Sequence, residues 1–248
     1  MLTEEQLRRI VPRMNATRRA AYLPHLNAAM AEGSIDTLRR TAAFIAQLAH
    51  ESGSFVYMKE LWGPTDAQRR YEPVMTLARK LGNTEPGDGR RYMGRGPIQI
   101  TGRDNYRRFG ELLGEDLVAD PDRAATPEVG FRIAALYWKS RDINTPADAQ
   151  DFREVTRRIN GGFNGLADRS EYYERALQVL AETGFVAEPL TRGGRRTRKL
   201  LPMPPEPLSR GVETIAWAAR AAKKAAPAKK ARPAKKATPA KKTARRTR

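Results

Sequence analysis

Glu51 and Glu60 stand nine positions apart, a short way upstream of a glycine-rich stretch, GRGPIQITGRDNY, at 94–106. Two carboxylates near a polar, glycine-turned segment have the makings of acid–base hydrolysis. One acid protonates a leaving oxygen and one base activates water, which is what cleavage of a glycosidic bond requires. In a chain with 30% charged residues such a pair on its own describes ordinary solvated surface. The downstream block is what gives it weight.

On one unbroken helix, nine residues turn through about 900°, so the two side chains would point in opposite directions. They converge only if a helix ends between them, and Gly53 supplies that end. Glu51 then lies in the last turn, where the partial negative charge of the helix terminus disfavours ionisation and suits a proton donor. Glu60, on a looser segment beside Lys59 and solvent, is expected to stay ionised and suits a base. In the block itself, Gly94 and Gly96 around Arg95 permit a tight turn and close backbone approach to a ligand. Gln99 and Thr101, two apart, share one side of an extended strand and can hydrogen-bond a sugar hydroxyl or a water. Asn105 follows at the start of a helix.

The elements that must position these groups read as mostly helical. Thr3 and Gln6 form a capping box before LRRIV. A second helix spans about Thr17–Ala31 and stops at Gly33, with a break expected near Leu23 because of Pro24. A third, capped by Asp36, places Leu38, Ala42, Ile45, Leu48 and Ala49 on one face and ends near Ser52-Gly53. Residues 54–103 alternate aromatic, Gly/Pro and charged positions, and YMGRGPIQIT has the look of short strands around a tight turn. Helices resume at about Asn105–Leu113 and at Pro127–Trp138, the latter capped by Thr126 with Pro127 at its first position. Another follows Pro146 to about Arg158, and the last runs from Asp168 to about Thr183, stopped by Gly184.

The order HESGSF, Glu60, GRGPIQITGRDNY, INGG (159–162) and DRSEYY (168–173) resembles glycoside hydrolase family 19, in its chitinase-like and phage-endolysin branch. The resemblance covers roughly residues 1–185. It implies a mainly α, lysozyme-like α+β fold: a helical domain with a small irregular β region, followed by a basic tail. It makes Glu51 the general acid and Glu60 the general base of an inverting reaction. Thr101 would hold the attacking water, where plant chitinases usually carry Ser. Gln99, Asn105 and Asn160 would line the sugar-binding surface, and Arg169 would orient the base. The segment between Glu60 and Arg90 looks like the endolysin version, which favours peptidoglycan over chitin.

Other residues have plainer readings. Trp62, Tyr92 and Trp138 can stack on sugar rings, Tyr92 being the substrate-binding candidate, yet such aromatics also build cores. Arg90, Arg91 and Arg95 can meet substrate carboxylates or form a solvated basic face. His50 beside Glu51 suits packing or hydrogen bonding. With His25 the only other histidine and no cysteine, no metal set is present, and no cofactor is expected.

Charge divides the chain. Residues 191–248 hold 19 Lys and Arg against 2 acidic residues, while the first 190 hold 27 basic and 26 acidic side chains. The expected organisation is a catalytic domain over 1–186, a Pro/Gly-rich linker over 187–210 and a cationic tail over 211–248. GVETIAWAARAA (211–222) can form three helical turns. Beyond it, KKAAPA, KKARPA, KKATPA and KKTARR repeat at a period of six; a proline in every full repeat forbids continuous α-helix, and the composition favours an extended, disordered arm. Such a polycation binds polyanions by counterion release. Lipopolysaccharide, anionic lipid and nucleic acid are its candidate partners, the last by likeness to the Lys-Ala-Pro tails of histone-like proteins. No apolar run of membrane-spanning length and no secretory h-region occurs. The expectation is a monomer made in the host cytoplasm that meets peptidoglycan glycan strands at the cell wall after release.

Overall fold

Residues 1–185 are described by a computed structural model, and their order is helical almost throughout. In sequence come α1 (Glu4–Ile10), α2 (Ala16–Glu32), α3 (Leu38–Glu51), α4 (Asp66–Arg69), α5 (Thr76–Lys80), α6 (Asp88–Arg91) and α7 (Arg103–Leu113). A 3-10 turn (Pro121–Ala125) precedes α8 (Pro127–Ser140), α9 (Asn144–Asp148), α10 (Phe152–Asn160) and α11 (Leu166–Glu182). The linker at 187–210, the helical turns at 211–222 and the Lys-Lys-Ala repeats lie outside the described residues.

Helix α3 is the axis. Every side chain from Thr41 to Glu51 is buried, so the one-faced stripe expected for it is replaced by a helix enclosed on all sides. Helix α11 packs along it, and α9 and α10 close it further. Phe44 meets Trp138 of α8 edge-on at 5.3 Å; truncating such a buried aromatic costs about 3–5 kcal/mol. Its N-cap is Thr37, whose hydroxyl accepts from Arg40 N–H, rather than Asp36. Asp36 instead pairs with the Arg40 side chain at 3.0 Å. The C-cap is Ser52, and Gly53 follows at φ 59°, so the chain leaves α3 where glycine allows.

Helix α2 runs unbroken through Pro24, contrary to the break expected near Leu23. Ala20, whose carbonyl loses its partner four residues on, is exposed, so water can satisfy it. The other face is buried through Leu26, Ala29 and Met30, and Tyr22 meets Phe131 of α8 at 5.8 Å. Tertiary packing therefore outweighs the lost hydrogen bond. The helix expected after Pro146 is two helices. Gln150 takes a left-handed φ of 61°, and Asp151 caps α10 by accepting from Glu154 N–H at 2.9 Å. The Thr3–Gln6 capping box, the Thr126 cap with Pro127 behind it, and Gly33 at the end of α2 stand as read from the sequence.

The region between α3 and α7 contains three short helices and two antiparallel bridges, Lys59 with Arg95 and Arg95 with Ile100. The small β region is thus one row of three residues. It is short because Gly96 and Gln99 both take positive φ, 74° and 54°, and turn the chain before a strand can extend. This turn is seated on α8. A Cβ on Gly96 would stand 2.9 Å from Ala124 O and 3.4 Å from the Gly130 Cα, a contact only two glycines allow.

Candidate active site

Glu51 closes α3 inside the protein. One oxygen, Oε1, accepts from Arg169 Nη2 at 2.6 Å, with the two side chains 1% and 0% exposed. The other oxygen, Oε2, is buried without a hydrogen-bond partner. Arg169, on α11, is held at every nitrogen: Nε donates to Asn164 O at 3.1 Å, and Nη1 donates to Gln47 Oε1. The motif resemblance implies that Arg169 orients Glu60. It contacts Glu51 instead, because α11 lies along α3 and the first turn of α11 faces its last turn.

Glu60 is not on a loose, solvated segment. It is buried, because its neighbours fold over it. Its backbone N–H donates to Gly94 O at 2.8 Å, and Gly94 N–H donates back to Glu60 Oε2 at 3.0 Å. Glu60 Oε1 accepts from Gln68 Nε2 at 3.0 Å. Burial pushes the Glu60 carboxyl above the ordinary glutamate range; the Gly94 N–H, the Gln68 amide and the Arg95 guanidinium pull it back only in part.

The bridges put Lys59, Arg95 and Ile100 in one row. By the same register the next row holds Glu60, Gly94 and Thr101, with the glycine in the middle. A Cβ on Gly94 would stand 2.7 Å from Gln99 Oε1 and 3.4 Å from Glu60 Oε2, so the Gln99 amide and the Glu60 carboxylate share the space above it. Gln99 is left-handed rather than extended, and its Nε2 donates to Gly96 O at 2.8 Å and Tyr57 O at 3.1 Å. A non-glycine residue there costs roughly 1–3 kcal/mol, and such strain concentrates at functional sites. Thr101 spends its hydroxyl proton on Gln99 O at 3.1 Å, which leaves its lone pairs to accept from a water.

Asn105 Nδ2 donates to Thr101 O at 2.7 Å, and its buried Oδ1 is unpartnered. Asn160 ends α10 only 5% exposed, and neither Nδ2 nor Oδ1 has a partner. Unsatisfied buried amides are costly to a fold and await a ligand or water. Tyr92 does not line the sugar-binding surface: it is 1% exposed, its hydroxyl donates to Val118 O at 3.3 Å, and Arg103 lies 5.1 Å from its ring, so it is core and cannot stack on a sugar. Trp138 is likewise buried, with its Nε1 on Asn144 Oδ1 at 2.8 Å, while Trp62 is half-buried beside Tyr71.

Arg90 and Arg91 are exposed. Arg95 is buried, held by Asp122, Arg91 O and the Tyr106 hydroxyl, so it braces the turn and is not a surface cation. Lys59 and Arg95 both bind Asp122 and hold its carboxyl below the usual range, Lys59 most. His50 bonds through Nδ1 to Asp168 Oδ2 at 2.5 Å, which holds Asp168 low. Among the described residues no group of three or more His, Cys, Asp or Glu has metal-site spacing.

Three further residues, Gln68, Asp122 and Gln47, support the site without a motif to mark them. Gln68 was hidden inside a capping box with Thr65, where it also reaches Glu60. Asp122 sits in a 3-10 turn far along the chain. Gln47 carried a signal, a lone amide in the apolar run AAFIAQLA.

The model of the family described as Chitinase class I, glycoside hydrolase 19, matches residues 20–156. That range includes Glu51, Glu60, Gln99, Thr101 and Asn105 but stops before Asn160 and Arg169. The chain is 38% identical over 161 residues to a glycosyl hydrolase family 19 domain-containing protein of Haemophilus influenzae, covering 56% of this chain and 78% of the relative. It is 43% identical over 126 residues to an endochitinase of Arabidopsis thaliana, covering 50% of this chain and 40% of that protein. The chain thus spans less than half the length of that plant relative. Among solved structures, chitinase C from Streptomyces griseus superposes with a TM-score of 0.56 at 25% identity, covering 75% of this chain and 78% of that one. A bacterial family 19 chitinase superposes with a TM-score of 0.53 at 26% identity, covering 72% and 94%.

Proposed function

Because this chain belongs to glycoside hydrolase family 19, we propose that it hydrolyses β-1,4 glycosidic bonds of bacterial peptidoglycan in one inverting step, with Glu51 as general acid and Glu60 as general base. The observation that supports these roles is how differently the two carboxyl groups are partnered. Both Glu60 oxygens accept from N–H donors, which fix the carboxyl group in the row that also holds Thr101, and burial raises it toward the pH at which a base works best. Glu51 Oε2 accepts from none, so it is the oxygen left to meet a leaving sugar oxygen.

The attacking water sits between Glu60 and Thr101. It gives one proton to the Glu60 carboxylate and points the other at the Thr101 hydroxyl oxygen. An inverting pair of carboxyl groups leaves room for that water, about 6.5–9.5 Å between them. Asn105 and Asn160 offer their unpartnered amide atoms to the N-acetyl and hydroxyl groups of the glycan, and Gln99 fixes the wall of the water site. No cofactor takes part.

Peptidoglycan is preferred over chitin on charge. Residues 191–248 carry 19 basic against 2 acidic side chains, and chitin offers such a polycation nothing to bind. A bacterial envelope does, through lipopolysaccharide or anionic lipid. In this reading a monomeric, endolysin-type enzyme is made in the host cytoplasm and concentrates at the envelope after release. Chitin is the second reading, favoured by the names of the plant relatives and of the superposed structures.

Reducing-end release from purified peptidoglycan, beside a soluble chitin oligomer, tests the substrate. Faster peptidoglycan cleavage is expected; cleavage of the oligomer alone would replace peptidoglycan with chitin and leave the acid–base chemistry standing. A peptide of residues 211–248 should bind lipopolysaccharide, and less so as salt rises. Binding to DNA alone would transfer the tail to nucleic acid.

A further inference from the structure

Behind Glu51 runs a line of buried polar side chains from three helices, and its direction is fixed from the far end. Thr156 on α10 donates its hydroxyl proton to Phe152 O, one turn back, at 2.9 Å. A hydroxyl has one proton, so Thr156 Oγ1 can then only accept. The group facing it at 2.9 Å is the Gln47 amide, which must therefore present Nε2. That choice turns Gln47 Oε1 to Arg169 Nη1, and the adjoining Nη2 holds Glu51 Oε1 at 2.6 Å. Reversing the amide would set its NH2 against the guanidinium and its oxygen against the lone pairs of Thr156. Gln47, Thr156 and Arg169 are each 0% exposed, so no water can substitute for a lost partner.

A network that served packing alone would gain most by satisfying all its members. This one satisfies Gln47, Thr156 and all three Arg169 nitrogens, and leaves bare one atom at its end, Glu51 Oε2. We propose that Gln47, oriented by the Thr156 hydroxyl, is a positioning residue for the reaction: it fixes the rotation of the Arg169 guanidinium, which fixes the Glu51 carboxyl plane and so aims Oε2 at the leaving oxygen. This rests on Glu51 being the general acid. Gln47 touches no substrate; it acts through Arg169. Misplacing a reacting group by a fraction of an ångström to 1 Å costs up to about a hundredfold in rate, and substrate affinity, set elsewhere, should not follow.

Thr156→Val keeps the shape and removes both hydrogen bonds, while Thr156→Ser keeps them. With peptidoglycan as substrate, T156V should lose roughly ten- to a hundredfold in kcat with KM within about twofold, and T156S should return kcat to near the wild-type value. Gln47→Glu sets a second carboxylate on Arg169 in place of the amide and should also lower kcat with KM unchanged; it decides the matter if T156V does not fold. Circular dichroism and thermal midpoints accompany each variant. A folded T156V or Q47E with wild-type kcat would overturn the proposal, as would equal losses in T156V and T156S, or losses that appear in KM. The parent reading fails separately: an active Glu51→Gln removes the acid itself, whereas an inactive Glu51→Gln beside an unaffected T156V removes only the role of Gln47.

Discussion

Glu60 and Gly94 are joined twice: the Glu60 N–H donates to Gly94 O at 2.8 Å, and the Gly94 N–H donates to the Glu60 carboxylate at 3.0 Å. The backbone that places Glu60 and the donor that orients its side chain are thus the same residue. Glycine is needed there because a Cβ would press on Gln99 Oε1 at 2.7 Å.

Gly94→Ala should therefore keep its helices and lose activity. The Gln99 amide is pinned by Gly96 O and Tyr57 O and cannot give way without breaking a bond. A fall in kcat/KM of about a hundredfold is expected, the scale of a 1 Å displacement at the reacting centre. Steady-state kinetics beside far-UV circular dichroism checks it; unchanged kcat/KM would mean that the Gln99 side chain does not shape the site.

Activity should fall on the acid side at a pH above the ordinary glutamate range. Burial raises the Glu60 carboxyl, so as pH falls the base takes up its proton earlier than an exposed glutamate would. Gln68→Glu keeps the oxygen that caps α4 but replaces the amide donor with a like charge. The acid limb of kcat/KM should then move to still higher pH. A limb that stays in place, or moves down, would detach it from Glu60.

Acid should also unmake the support beneath α6. Burial raises the Asp88 carboxyl, but the Arg103 guanidinium and the Glu85 and Thr84 N–H groups outweigh it, and the net direction is down. A carboxylate lowered in the folded state contributes stability that is complete above its unfolded value, about 4, and is lost as pH falls through the lower folded value. Asp88→Asn should cost roughly 1–3 kcal/mol at neutral pH and almost nothing at the acid end of that window. Urea midpoints at several pH values measure this; a cost independent of pH would assign it to packing.

Local rules served the helices well where their ends are local. The Thr3–Gln6 box, Thr126 with Pro127, and Gly33 were legible because a cap needs only its own few residues. Motif order singles out Glu51, Glu60 and Thr101, but says nothing of their surroundings. That Glu60 is buried depends on Gln68 and Gly94 folding over it, and that Arg169 meets Glu51 depends on α11 lying along α3. Neither follows from spacing. Pro24 deceived in the other direction: a local rule predicts a break, and burial of Leu26, Ala29 and Met30 overrides it. Tyr92 showed the same limit, since an aromatic beside the glycine block reads alike whether it faces a sugar or the core.

The most direct test of the acid–base pair is the initial rate of glycosidic cleavage by Glu51→Gln and Glu60→Gln, each compared with wild type on purified peptidoglycan at matched circular dichroism. Both substitutions should lower the rate by about 10²–10⁴-fold, the contribution of a positioned acid or base, and the wild-type product should first appear with inverted anomeric configuration by proton NMR. Either variant cutting within tenfold of the wild-type rate, or a product that retains its configuration, would contradict the assignment of Glu51 and Glu60.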